Sequence, residues 1–196
     1  MKQRISKKAI LSLLPLLCSC GKGSEIIEKH LTVLEAEMCV LENCQIEMPD
    51  EEKKASNNGC VSHQQVGTTI TFYLDADKRE EDVSMKIRLS CPLAWIDEEY
   101  NLPQNIYFSD VYTLTQNGED ITLNHGEIHL NGSILEEDNY NYFYWVEACF
   151  LVTLEEENIF TLSVTNLGGR SFSSFGNVDC FTFQTVTEIN FDKMKR

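Results

Sequence analysis

The chain has 196 residues, of which 42% are hydrophobic and 24% charged, and a formal net charge of -15. That is the size and composition of one globular domain with a real core, preceded by a short leader. The acidity excludes a nucleic-acid binder, which needs a basic patch, and leaves room for cation binding by a subset of the acids.

Residues 1–19 divide into three parts. Lys2, Arg4, Lys7 and Lys8 make a positive start, residues 9–17 a short apolar core, and Leu17-Cys18-Ser19-Cys20-Gly21 follows. The apolar run is too short to span a bilayer, so it reads as a signal peptide. Leu17 and Ser19, three residues and one residue before Cys20, resemble the lipobox of bacterial lipoproteins. The resemblance implies cleavage before Cys20 and lipidation of its thiol and new amine, placing the protein on a membrane and facing the exterior or the periplasm. The alternative is an ordinary secretion signal that frees the domain. Loss of the four basic leader residues leaves 12 basic against 31 acidic, a net -19. Residues 20–31 read as a tether, and the eleven that follow Cys20 span at most about 35–40 Å. The domain proper is expected over 32–190, with a tail at 191–196. No other stretch is long and apolar enough for a transmembrane helix.

The body shows neither repeat nor linker, and its patterns have a period of two. In Leu34-Glu35-Ala36-Glu37 both glutamates share a face if the stretch is a strand. Residues 49–58 are charged and polar and read as a loop. Ile70, Phe72 and Leu74 alternate with Thr69, Thr71 and Tyr73; Val83, Met85, Ile87 and Leu89 alternate with Ser84, Lys86, Arg88 and Ser90. These are half-buried antiparallel strands. Residues 91–104 carry two prolines, a charge run and the aromatics Trp95 and Tyr100, and read as a loop at the end of a sandwich, where binding commonly sits. Asn117-Gly118 and Asn131-Gly132 are hairpin signals, bracketing short strands near 121–123 and 127–130. Residues 144–154 form a longer strand rich in aromatic and β-branched residues, and Phe160, Leu162 and Val164 alternate with Thr161, Ser163 and Thr165. Many strands and no sustained helical period predict an antiparallel β-sandwich or jelly roll.

The last strand, Asn177-Val178-Asp179-Cys180-Phe181-Thr182-Phe183, puts Asp179 on the face of Phe181 and Phe183 if it alternates regularly. A carboxylate on an apolar face needs a partner. Glu35 and Glu37 of the first strand are the candidates. Three converging carboxylates require a cation between them, and calcium suits an oxygen-rich set.

These segments resemble, in order and spacing, the carbohydrate-binding modules of families 6 and 35, with their galactose-binding-like jelly roll. The matching segments are Glu35-Ala36-Glu37, then Ala55-Ser56-Asn57-Asn58-Gly59, Ile70-Thr71-Phe72-Tyr73-Leu74, Lys86-Ile87-Arg88-Leu89, Trp145, Val152-Thr153-Leu154, Asn158 to Leu162 and Asn177-Val178-Asp179. The resemblance covers residues 32–186. It implies a structural calcium held by Glu35, Glu37 and Asp179. It also implies a sugar site at one end of the sandwich, where aromatic rings stack on a pyranose and an amide bonds its hydroxyls. The matching region supplies Tyr142, Asn166 and Asn177, and Arg170 adds a charged donor for an acidic sugar. The aromatic usual after the small-residue stretch is replaced by Cys60-Val61-Ser62-His63; Trp95 and Tyr100 are the candidates to take its place. The reading is a non-catalytic, lipid-anchored module that binds a glycan, the alternative an envelope scaffold with the same fold and a degenerate sugar site.

Of eight cysteines, Cys18 would leave with the leader and Cys20 would carry lipid, as the lipobox resemblance implies. Cys39, Cys44, Cys60, Cys91, Cys149 and Cys180 remain, open to disulfides or to buried thiols. There is no CxxC pair for zinc. His125 and His129 would lie about 13 Å apart on a strand, too far to share a metal. Neither a nucleophile elbow nor a phosphate-cradling loop is present, Glu155-Glu156-Glu157 reads as a solvated turn, and no catalytic cleft is expected.

Overall fold

The computed structural model describes residues 29–48, 55–92, 107–124, 128, 130, 143–166 and 176–192. Twelve strands lie within them: β1 (His30–Glu35), β2 (Val40–Glu42), β3 (Gln45–Glu47), β4 (Cys60–Ser62), β5 (Thr69–Ala76), β6 (Glu80–Pro92), β7 (Tyr112–Gln116), β8 (Glu119–Ile121), β9 (Phe143–Leu154), β10 (Glu157–Val164), β11 (Asn177–Thr185) and β12 (Ile189–Asp192). They form two six-stranded sheets. One runs β3-β4-β11-β6-β9 with β1 also paired to β11; the other runs β12-β5-β10-β7-β8 with β2 also paired to β5. All pairings among the described strands are antiparallel. This is the sandwich expected from the period-two patterns. β1 begins at His30 and β12 ends at Asp192, slightly outside the expected domain limits.

The core lies between the sheets and follows the alternation. Ile70, Phe72 and Leu74 of β5, Met85, Ile87 and Leu89 of β6, Phe160 and Leu162 of β10, and Phe181 and Phe183 of β11 are all buried. Each such side chain contributes about 1.5–3 kcal/mol by leaving water. Phe72 is the hub: its ring stacks on Phe160 at 5.1 Å and meets Phe181 at 4.6 Å and Phe183 at 6.0 Å.

Among the buried polar residues, Asn158 is fully satisfied. Asn158 faces inward from β10. Its Oδ1 accepts from Gln116 Nε2 at 2.8 Å and from the Glu155 amide at 2.9 Å, while its Nδ2 donates to the carbonyls of Glu155 and Leu74. The glutamate run it ties down is exposed, as expected of a solvated turn. Asn117 and Gly118, at φ 54 and 85, close the β7–β8 hairpin, because a two-residue turn that matches strand twist needs both residues at positive φ. The only α-helix among the described residues is a single turn, Phe108–Val111, capped where Asp110 Oδ2 accepts the Tyr107 amide at 2.9 Å.

Three expectations are corrected. Ile128 and Leu130 are not in a strand; Ile128 instead offers its carbonyl to the Phe108 amide at 2.9 Å. Glu35 and Glu37 do not share a strand face, because β1 stops at Glu35 and Ala36–Met38 turn as a 3-10 helix. Asp179 does not share the face of Phe181 and Phe183. Val178 pairs with Leu89 and Cys180 with Arg88, its immediate neighbour, so β11 has a bulge with Asp179 as the extra residue. A bulge resets the alternation, which leaves Val178 in the core and aims Asp179 elsewhere.

Candidate metal and carbohydrate site

The bulge delivers Asp179 to the place where β1 ends. Glu35 lies opposite Cys180 in the β1–β11 register, and Cys180 lies opposite Arg88 on β6. Leu34 is buried in the core, so Glu35 emerges on the other face; Arg88, flanked by the buried Ile87 and Leu89, emerges on that same face. The third contributor is the turn Ser56–Asn58, closed by the Gly59 amide bonding the Ser56 carbonyl at 3.2 Å. Asn57 sits there at φ 48, a left-handed conformation that asparagine tolerates better than most residues.

Ser56 joins the carboxylates. Its amide donates to Asp179 Oδ1 at 2.7 Å, and its hydroxyl lies 2.9 Å from that oxygen and 2.5 Å from Glu35 Oε2. The second oxygen of Asp179, a fully buried residue, is ion-paired with Arg88 Nη1. The Arg88 guanidinium also lies over the Trp145 ring, 4.6 Å from its centroid, a cation–π contact. Glu37 approaches from the turn after β1: its Oε1 is 3.4 Å from Asn57 Nδ2, and its Oε2 is buried with no hydrogen-bond partner. Gly59 lies close beneath that carboxylate: a Cβ on it would stand 3.0 Å from Glu37 Oε1, so the carboxylate would have to shift by a few tenths of an ångström.

The electrostatics follow from this crowding. Burial raises the Glu35 carboxyl above its ordinary value; the Ser56 hydrogen bond opposes that, Glu37 and Asp179 add to it, and Arg88 opposes it. Burial, then the neighbouring Asp179 carboxylate, push the Cys180 thiol up to about 12. One hydroxyl has one proton and can donate to only one of its two carboxylates at a time. The cluster is therefore short of positive charge. Among the described residues no three His, Cys, Asp or Glu side chains are already drawn together tightly enough to hold a metal ion.

The expected carboxylates thus converge, Glu35 and Asp179 through Ser56, with Glu37 against the same turn. Sequence reasoning passed over Ser56, Gly59 and Arg88 as members of the site. Ser56 and Gly59 stood within the small-residue stretch, and Arg88 was a basic residue on the outward face of a strand. The expected sugar contacts fare differently. Asn177 is buried, and its Nδ2 donates to Ser90 Oγ at 3.1 Å. Gly176 beside it, at φ 45, has no room for a side chain: a Cβ would meet the Ser90 carbonyl at 2.8 Å. Asn166 is exposed just past β10. Trp95, Tyr100, Tyr142, Arg170 and the lipidation residue Cys20 lie outside the described residues. Cys60, Val61 and Ser62, where an aromatic was missing, are a buried strand. Cys39, Cys44, Cys60, Cys149 and Cys180 are free thiols.

No family model matches the sequence, and no curated protein matches it. Solved structures do. The fold is similar to a family 35 carbohydrate-binding module from Clostridium thermocellum, with TM-score 0.51 and 14% identity over 79% of this chain and 97% of that one. It is likewise similar to the CBM35 of Cellvibrio japonicus Abf62 (TM-score 0.50, 14% identity, 82% and 96% covered) and to the CBM35 of Paenibacillus barcinonensis (TM-score 0.50, 16% identity, 78% and 97% covered). In the Podospora anserina GH26-CBM35 β-(1,4)-mannanase the match spans 27% of that chain. The class is therefore defined by fold: an antiparallel β-sandwich of the jelly-roll type found in family 35 carbohydrate-binding modules.

Proposed function

We infer that this chain is a non-catalytic carbohydrate-binding lipoprotein, anchored through Cys20 and stabilised by a calcium ion where its first strand meets its last. The observation that carries the reading is the whole-module likeness of the fold together with the Glu35–Ser56–Asp179 constellation. The donor set fits calcium: three hard carboxylates, one of them with a buried oxygen that meets no donor, around a turn kept small by Gly59. Glu35, Glu37 and Asp179 would hold the ion, their side chains drawing together around it. When bound, the ion supplies counter-charge that ties β1 to β11 and takes no part in chemistry. Ring stacking and a few hydrogen bonds, from Trp95, Tyr100, Tyr142, Asn166 and Arg170, would hold the sugar.

A second reading, an envelope scaffold that keeps the fold without a sugar site, is favoured by two observations. Asn177 is engaged inside the sheet, and the segment after Gly59 is a buried strand without an aromatic. A glycan array probed with the full chain, alongside Trp95→Ala, Tyr100→Ala and Tyr142→Ala, separates the two. Binding to a defined glycan class, lost in at least one variant, supports the module; no binding to any glycan supports the scaffold.

A further inference from the structure

The calcium reading, on which this inference rests, leaves one basic residue inside the acidic cluster to be explained. Arg88 reaches from the middle of β6 to Asp179. Its strand neighbour on the same face, Lys86, turns away to pair with Glu147 at 2.6 Å. Arg88 is also braced, since Trp145 holds the guanidinium from another side. Asp179 is fully buried, and a buried carboxylate stripped of its partner is strongly destabilising. The pairing is thus built into the sheet and is not a chance surface contact.

Charge then divides unevenly across the cluster. Asp179 has both oxygens met, one by Ser56 and one by Arg88. Glu35 meets only a shared hydroxyl among its described contacts, and Glu37 Oε2 meets no donor. Three carboxylates less one guanidinium leave two negative charges, and these lie on the Glu35–Glu37 side. We propose that Arg88 sets the charge of this site, neutralising Asp179 so that the remaining two carboxylates match one divalent cation and not a trivalent one. Arg88 need not touch the ion. It acts as a selectivity residue through the carboxylate it covers, and an incoming cation does not have to displace it.

The test is a titration of the purified full chain with calcium and with terbium, for wild type, Arg88→Gln and Arg88→Lys, by calorimetry and terbium luminescence. Melting curves in calcium and in EDTA accompany it. Arg88→Gln should bind calcium at least about tenfold more tightly, because the positive charge paired with Asp179 is removed from the carboxylate cluster. Terbium should gain more than calcium does, and the melting gap between calcium and EDTA should widen. Arg88→Lys, which keeps the charge, should stay within about threefold of wild type. Unchanged or weaker calcium binding by Arg88→Gln, with the terbium preference unmoved, overturns the proposal. So does an Arg88→Gln chain that fails to fold in saturating calcium while Arg88→Lys folds, since Arg88 would then be architecture rather than counter-charge. A wild-type chain that binds no calcium overturns the metal reading itself; wild-type binding with indifferent variants removes only the role given to Arg88.

Discussion

Replacing Ser56 with alanine removes the one hydroxyl that links Glu35 to Asp179. Its contacts at 2.5 and 2.9 Å join two carboxylates 144 positions apart in sequence. Only one can be a donated hydrogen bond at a given moment, so one charge-assisted bond is lost, worth about 1.5–3 kcal/mol. The Ser56 amide stays on Asp179 Oδ1 at 2.7 Å, which spares the buried carboxylate and puts the expected loss near ~2 kcal/mol. In a domain of this size that is a fall in Tm of roughly 4–8 °C, read by thermal melts in EDTA at pH 7. The pH dependence carries a sign. The folded-state pKa of Glu35 is raised, so its contribution to stability is fully present below the ordinary carboxylate value and is lost as pH rises through the folded value. Ser56 opposes that raise, so its removal lifts the Glu35 pKa further, and the penalty should shrink as pH falls from 7 toward 5. A loss below about 0.5 kcal/mol, or a penalty that grows on acidification, would refute the bridging role.

Two further outcomes follow from the same geometry. Glu80 accepts hydrogen bonds from the Val186 amide at 2.6 Å, the Thr187 amide at 3.2 Å and the Thr187 hydroxyl at 2.9 Å. Burial alone would raise its carboxyl, but these bonds and the nearby Lys29 outweigh burial and hold it below its ordinary value of 4.5. That stability is present above the ordinary value and lost as pH falls through the folded one. Glu80→Gln should therefore cost about 1 kcal/mol at pH 7 and close to nothing at pH 3; an equal cost at both pH values, by thermal melts, contradicts the assignment. Cys180, buried with its thiol pushed to about 12, should carry roughly a thousandfold less thiolate than an ordinary cysteine at pH 8. Peptide mass spectrometry after iodoacetamide should find it unmodified in the native protein and labelled after unfolding, with half-buried Cys149 labelled first; equal native rates at the two thiols would rule out the sealed environment described for Cys180.

The sandwich was legible because period-two burial is written residue by residue. Ile70-Thr71-Phe72-Tyr73-Leu74 and Met85-Lys86-Ile87-Arg88-Leu89 each state which face is inside, and the structure follows both. The convergence of Glu35 with Asp179 was also legible, though by faulty geometry. Regular alternation aimed Asp179 at the core, whereas the bulge between Val178 and Cys180 turns it toward Arg88. Nothing local in Asn177-Val178-Asp179-Cys180 marks that extra residue. A bulge exists only relative to the partner strand, here where Leu89 and Arg88 impose the register.

Composition and alternation alone thus determined an all-β domain, its core residues and the acids available to a cation, because burial of apolar side chains is a property of each strand by itself. Only the tertiary structure decided which charges meet. Ser56, Arg88 and Asp179 belong to three segments, and the partner of a buried charge is set by strand order and register, which bring together residues that no sequence spacing connects.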